Sequence, residues 1–291
     1  MTPAVATQSS KSTPISAIRS VIEMALEGKP EVIELALIAL FAGGHVLIED
    51  APGVGKTTLA RALAKAVGGD INRVQFTSDL LPSDVLGVSV YDQRKSDFSF
   101  RQGPIFTNIL LADEINRASP RTQSAMLEAM SERQVTVDGK THELPRPFFV
   151  LATQNPNDYA GTFPLPESQL DRFMLRVRIG YPPPQVEARL FLDADPDRVR
   201  LVSTTITTEE LNRLQQEVRR IDFDSSLATY LQALLAATRA SPLLSLGAST
   251  RAGMNLAQAA RARALIRGRC YCIADDIHDL AIPVLAHRIR L

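Results

Sequence analysis

The sequence predicts an α/β fold: a mostly parallel sheet with helices on both faces, then a smaller all-α unit. Three observations predict it. Short, continuously apolar runs alternate with helix-spaced stretches up to residue 180, the pattern of strands buried on both faces. Residues 45–58, His-Val-Leu-Ile-Glu-Asp-Ala-Pro-Gly-Val-Gly-Lys-Thr-Thr, read as strand, glycine-bearing turn and helix. Beyond Tyr181-Pro182-Pro183-Pro184 only helical patterns follow, and three prolines make a stiff, extended connection.

The expected organisation is a disordered tail over 1–14, an α/β core over 15–180, a linker at 181–184 and a helical unit over 185–291. In the core, Ile15, Ile18, Ile22 and Leu26 have helical spacing over 15–27. Gly28-Lys29-Pro30 ends that helix, and Pro30 suits the first turn of a second over 31–41, which stops at Gly43-Gly44. The strand 46–48 leads into the glycine turn and a helix over 58–67. A strand is expected over 71–76, and a loop or hairpin insertion over 79–103, where Pro82, Gly87 and Gly103 punctuate short alternating runs. Residues 108–112, Asn-Ile-Leu-Leu-Ala, form a strongly buried strand. Ser119-Pro120 then opens a helix with a side-chain cap and a first-turn proline. Asp138-Gly139 between β-formers signals a hairpin, and further strands are expected over 148–153 and 173–179. In the helical unit, Thr207 and Glu210 make a capping box, and helices are expected over 227–238, 251–267 and 275–287.

Composition narrows the function. Lys+Arg and Asp+Glu both number 32 and aromatics are 5%, which counts against nucleic acid as the main partner. No apolar leader or membrane-length run is evident, and Cys270 and Cys272 are too close to pair without strain. Reduced thiols and a cytoplasmic protein are the expectation. The four histidines, His45, His142, His278 and His287, make no metal-ligand spacing.

The chemistry-bearing residues lie where predicted strands end. Pro52, Gly53, Val54, Gly55, Lys56, Thr57 and Thr58 form a loop that can hold a polyphosphate on backbone N–H groups and a helix N-terminus. Lys56 can reach the β- and γ-phosphates, and Thr57 can bind Mg²⁺. The strict phosphate-loop pattern has glycine where this chain has Asp50, so Pro52-Gly53 must set the turn. Asp113, at the end of the 108–112 strand, suits the Mg²⁺ shell, and Glu114 can take a proton from an attacking water. Such a pair alone is more often a solvated turn; behind a phosphate loop it is a strong signal. Asn155 can bond both γ-phosphate and water, although Asn155-Pro156 also reads as a turn starter. Arg172 reads either as the partner of Asp171 or Glu167, or as a charge completing a neighbour's site. Arg251 opens a helix, where a cation is mildly unfavourable, so a compensating anion such as a γ-phosphate fits.

Over roughly residues 15–291 the chain resembles the MoxR family of AAA+ ATPases. The resemblance rests on Leu-Ile-Glu-Asp-Ala-Pro-Gly-Val-Gly-Lys-Thr (47–57), Leu-Leu-Ala-Asp-Glu-Ile-Asn-Arg-Ala (110–118) and Met-Leu-Glu-Ala-Met-Ser-Glu-Arg (126–133). Ala-Thr-Gln-Asn-Pro (152–156), Pro-Leu-Pro-Glu-Ser-Gln-Leu-Asp-Arg-Phe (164–173) and Gly-Ala-Ser-Thr-Arg-Ala (247–252) complete it. It implies a five-stranded parallel sheet and a helical lid, with Lys56 and Thr57 as Walker A and Asp113 and Glu114 as Walker B. It further implies Asn155 as sensor one, Arg172 as arginine finger and Arg251 as sensor two, reading the γ-phosphate from the lid side. Insertions are implied at 84–103 and 134–146, with adenine near Gly28-Lys29. Met126, Cys270 and Cys272 depart from the family pattern, and the resemblance implies a lid running somewhat beyond Leu291.

The resemblance implies a Mg²⁺-dependent ATPase working as a ring, expected to be a hexamer, with Arg172 acting between subunits. The lid would turn about the 181–184 linker, and the output would be remodelling of a client protein, often one with a von Willebrand factor A domain. A nucleic-acid motor, another P-loop NTPase or kinase, and a nucleotide-gated scaffold are the alternatives. The Asn155, Arg172 and helical-lid set counts against a kinase, and Glu114 against a scaffold.

Overall fold

The computed structural model describes residues 13–94, 96–155, 161–193 and 197–291. The expected tail lies, up to residue 12, outside the described residues; α1 (Thr13–Ala25) begins at the next. Ile15, Ile18 and Ile22 form its buried stripe. α2 (Pro30–Ala42) carries proline in its first turn and ends at Gly43 with φ 68°, the left-handed cap that glycine adopts most easily. Every residue from Ala36 to Phe41 is buried. This helix is apolar all round because it lies between the sheet and the helical unit.

The central sheet is fully parallel, in the order β2 (Ile71–Gln75), β5 (Ile109–Asp113), β8 (Phe149–Gln154), β1 (Val46–Glu49), β9 (Leu175–Val177). Side chains alternate between two cores. Val46, Ile48, Ile109, Leu111, Phe149 and Leu151 face α1, α2 and α3 (Lys56–Ala66). Leu47, Leu110, Ala112, Val150 and Ala152 face α5 (Pro120–Glu132). Both faces are covered, so these strands read as continuous apolar runs and not as alternating ones.

The insertion over 79–103 holds a short helix, α4 (Pro82–Leu86), and a separate hairpin of β3 (Gly87–Asp92) and β4 (Asp97–Gln102). α4 is too short to show helical periodicity. The hairpin's base is tightly crossed: a Cβ at Gly87 would come 2.4 Å from the Arg101 carbonyl, and one at Gly103 2.3 Å from that of Val85. The second hairpin, β6 (Gln134–Val137) and β7 (Lys140–Glu143), turns through Asp138 and Gly139, both at positive φ, as Asp-Gly predicts. The strand expected over 173–179 is only three residues long, preceded by α6 (Glu167–Leu170).

α7 (Pro184–Leu192) starts on the last proline of the expected linker. Proline occupies the first turn there and does not extend the stiff connection. α8 (Thr208–Arg220) has the expected capping box; α9 (Ser225–Ala240), α10 (Thr250–Ile266) and α11 (Ala274–Leu285) follow. Leu211, Val218, Leu256 and Ile277 belong to the same apolar cluster as α2 and β1, so packing as well as covalent connection joins the helices to the core. Cys270 and Cys272 are free, and among the described residues no helix is long and apolar enough to cross a membrane.

Candidate active site

Three adjacent strands, β5, β8 and β1, deliver their carboxyl ends to one edge of the sheet. A cavity of about 380 Å³ lies there, lined by Pro52, Gly53, Gly55, Lys56, Thr57 and Thr58 together with Asp113, Glu114 and Asn155. The sequence-predicted phosphate and water groups therefore meet, except Val54, which is buried and does not line the cavity. Gly53 and Gly55 take φ 82° and 99°, conformations that turn successive N–H groups to one side. Among the described residues no cluster of three His, Cys, Asp or Glu could hold a metal. Thr57 and Asp113 nonetheless offer the hard oxygen donors that Mg²⁺ takes while keeping waters and phosphate oxygens in its shell.

Asp50 has a definite role in place of the glycine. Its Oδ2 accepts from the backbone N–H of Ile179 (2.7 Å) and Gly180 (2.6 Å), and its carbonyl accepts from Lys56 Nζ at 2.6 Å. The start of the phosphate loop is thereby tied to the end of β9. Burial pushes the Lys56 ammonium down from its usual range, opposed by Asp113, Asp50 and Glu114.

The two acids are held by residues that the sequence did not single out. Thr153, fully buried in β8, donates its hydroxyl to Asp113 Oδ1 (2.6 Å) and accepts from the Glu114 N–H (2.9 Å). Glu114 has φ 56°, a left-handed backbone that costs a non-glycine residue about 1–3 kcal/mol and turns its side chain out of the strand direction. Its carboxylate accepts from Gln75 Nε2 (2.9 Å) and pairs with Arg117 (3.1 Å). Arg73 Nη2 donates to Asp113 Oδ2 at 2.6 Å. Arg73 and Gln75 are two apart on β2, and Gln75 sits opposite Asp113 in the ladder. Two polar residues at this spacing, on a strand beside the acidic one, were the available signal.

Arg172 and Arg251 are elsewhere. Both line a second cavity of about 270 Å³ with Arg133 and Arg219, and none of its lining residues lines the phosphate cavity. Within one chain, Arg251 therefore lies apart from the cavity that the phosphate loop lines. α10 packs on α2, on the side of β9, and carries Arg251 away from the phosphate loop. Arg172 is not paired with Asp171 or Glu167: it donates to the Leu127 carbonyl (2.5 Å) and Ser131 Oγ (3.0 Å). Asp171 instead faces the buried Arg288, whose Nε lies 2.9 Å away without hydrogen-bond alignment, and Glu167 pairs with Arg290. Among the described residues, no acidic one lines this second cavity. Burial and the charges of Arg219 and Arg146 push the Arg133 guanidinium down from its usual range. Gly28 lines neither cavity; at φ 78° it abuts Pro183, and Lys29 Nζ donates to the Tyr181 carbonyl at 2.6 Å.

Comparison with known proteins fits this architecture. Residues 45–175 match the model of the ATPase family associated with various cellular activities (AAA), and residues 236–291 match that of the AAA lid domain. Chaperone MoxR1 of Mycobacterium tuberculosis is 39% identical over 93% of this chain and 74% of its own length. Protein MoxR of Methylorubrum extorquens is 31% identical over 93% and 85%. The chain belongs to the MoxR family of AAA+ ATPases. The uncharacterized protein YeaC of Bacillus subtilis, 50% identical over 93% of this chain and 85% of its own, is a further relative of this MoxR-family chain. A crystal structure from Cytophaga hutchinsonii, provisionally described as an ATPase, superposes with TM-score 0.88 at 36% identity, covering 98% of this chain and 89% of that one. A five-stranded parallel sheet with an all-α lid is thus the AAA+ fold of this MoxR-family member.

Proposed function

We propose that this MoxR-family chain hydrolyses MgATP as a subunit of a ring, expected to be a hexamer, and uses the cycle to remodel a client protein. The observation that carries this reading is the separation of the two cavities. The groups assigned to phosphate and water line one; Arg172 and Arg251 line the other, with no acid among its described lining residues. Phosphoryl transfer needs both sets at one γ-phosphate. A neighbouring copy supplies the second set when its arginine cavity faces this chain's phosphate cavity.

In the cycle, Lys56 and the loop N–H groups hold the β- and γ-phosphates, and Asn155 orients the attacking water. Glu114 takes the water's proton as its oxygen bonds to γ-phosphorus and the bond to the β–γ bridging oxygen breaks. Thr57 and Asp113 would hold Mg²⁺, which would supply neutralisation of phosphate charge. Adenine would lie near Gly28-Lys29, where the core meets α7, and the Tyr181–Pro184 segment divides core from lid. Exposed Tyr91 and Phe98, packed edge to face on the first hairpin, offer apolar surface to a client. A von Willebrand factor A domain is the client class that the family suggests. The compartment is proposed to be the cytoplasm.

Three variants test the reading. Lys56→Ala should abolish ATP binding; unchanged affinity removes the phosphate-loop assignment. Glu114→Gln should bind ATP and not turn it over. Arg172→Ala should be inactive alone, and mixing it with Lys56→Ala should restore some turnover, because some interfaces then pair an intact phosphate site with an intact arginine. No rescue at any mixing ratio would sink the shared site.

A further inference from the structure

Arg73 has no part in the proposed cycle beyond its bond to Asp113, yet it lines the phosphate cavity with Lys56, Thr57 and Asp113. Its Cα pairs with Leu111, two residues before Asp113, so the side chain runs along β2 toward the edge where the phosphate loop begins. Nε (3.2 Å) and Nη2 (2.6 Å) both bond one oxygen of Asp113, Oδ2, and Nη2 also lies 3.2 Å from Gln75 Oε1. Nη1 takes part in none of these contacts. The other oxygen, Oδ1, is held by the buried Thr153 hydroxyl. The side chain of Arg73 is 53% exposed, against 15% for that of Asp113, so it can leave the pair without disturbing the core.

These positions put two cations in competition. Asp113 is the carboxylate proposed to face Mg²⁺; with Oδ1 held by Thr153, Oδ2 is the oxygen for which Arg73 and the metal would compete. The guanidinium fork matches a phosphate oxygen pair as well as it matches a carboxylate. MgATP carries net negative charge into a cavity already holding Asp113 and Glu114, so a released Arg73 has its best new partner there, at the terminal phosphate.

We propose that Arg73 is a triphosphate-sensing residue within its own subunit, passing from Asp113 to the γ-phosphate when the metal-bound nucleotide enters. This rests on the phosphate-cavity reading above. Two consequences distinguish it from a fixed structural ion pair. Arg73 favours ATP over ADP, because only ATP offers the terminal phosphate. That preference depends on Mg²⁺, because the metal releases Arg73 from Asp113.

The test is binding of a fluorescent non-hydrolysable ATP analogue and the matching ADP analogue, each with Mg²⁺ and with EDTA. With Mg²⁺, Arg73→Ala should weaken the ATP analogue on the order of tenfold, the scale of one charge-assisted contact, and leave the ADP analogue within about threefold. Arg73→Lys, which keeps the charge without the fork, should fall between. In EDTA, wild type and Arg73→Ala should share one ATP-to-ADP ratio. An unchanged ratio in Mg²⁺, equal weakening of both analogues, or a ratio difference that persists in EDTA would each overturn the proposal. Lys56→Ala, run alongside, separates the failures: if it still binds both analogues normally, the cavity assignment is at fault and not the role of Arg73.

Discussion

Thr153→Val tests how the acidic pair is built. The exchange keeps the side chain's shape and removes a hydroxyl that makes two hydrogen bonds from a fully buried position. The Glu114 N–H would lose its acceptor, at about 1–3 kcal/mol for a buried donor, and Asp113 would lose a charge-assisted bond of about 1.5–3 kcal/mol. A buried methyl returns roughly 1 kcal/mol, so the net loss of stability should be about 1.5–5 kcal/mol. Glu114 also holds a left-handed backbone, φ 56°, that this bond helps to maintain. A displaced Glu114 should lower turnover on the order of a hundredfold, the usual scale for a misplacement of about 1 Å. Urea denaturation and steady-state ATP turnover read the two effects. Thr153→Ser, which keeps the hydroxyl, should cost about 1 kcal/mol and retain most activity. If Thr153→Val unfolds within about 0.5 kcal/mol of wild type and turns over normally, Thr153 does not organise the acids.

Other outcomes follow from buried polar groups. Asp50→Ala should lower stability by roughly 1–3 kcal/mol in a thermal melt, because the Ile179 and Gly180 N–H groups lose their shared acceptor, and Asp50→Asn should recover part of it. Arg288→Ala should cost about 3–5 kcal/mol by chemical denaturation, since it strands Asp171 beside an emptied buried site. His45 and His287 are pushed by burial to about 4 and about 3, below the usual 6.5. The unfolded chain therefore binds more protons below pH 6.5, and stability should be level above that value and fall as pH drops toward 3, by about 3 kcal/mol for His45 and about 5 kcal/mol for His287 at full effect. Denaturation midpoints that do not move between pH 7.5 and 5 would contradict this. Burial raises the Cys272 thiol to about 11, so an alkylating reagent should label exposed Cys270 in the native protein and reach Cys272 only after unfolding.

The parts of this protein that sequence made legible are those whose physics is local. Runs such as Ile109–Ala112 announce buried strands, Ser119-Pro120 announces a helix start, and Gly53-Val54-Gly55-Lys56 announces an anion loop, each from adjacent residues. α7 was hidden because proline signals both an extended segment and a first helical turn, and only the fold decides between them. Arg73, Gln75 and Thr153 were hidden for another reason. Their importance comes from strand register, Gln75 opposite Asp113 and Ala112 opposite Ala152, which spacing along one chain does not contain. Asp50 looked like a fault in the loop pattern until the N–H groups of residues 179 and 180 supplied its partners.

The separation of the two cavities has a consequence for how copies would assemble under the proposed reading. A contact that puts one chain's arginine cavity against another's phosphate cavity joins two different surfaces, so it is heterologous. Each such contact leaves a free phosphate cavity at one end of the row and a free arginine cavity at the other. An open row therefore always contains one site without arginines and one arginine set without a site. Only closure into a ring uses every cavity, and in a closed ring each subunit's hydrolysis depends on its neighbour's position. Arg172 and Arg251 come from different parts of the chain, the segment before β9 and the first turn of α10, yet share one cavity. A neighbour's γ-phosphate bound there would therefore contact core and lid at once. Loss of that phosphate would release the lid from one ring partner's site while Asp50 still held that chain's own phosphate loop to the end of β9.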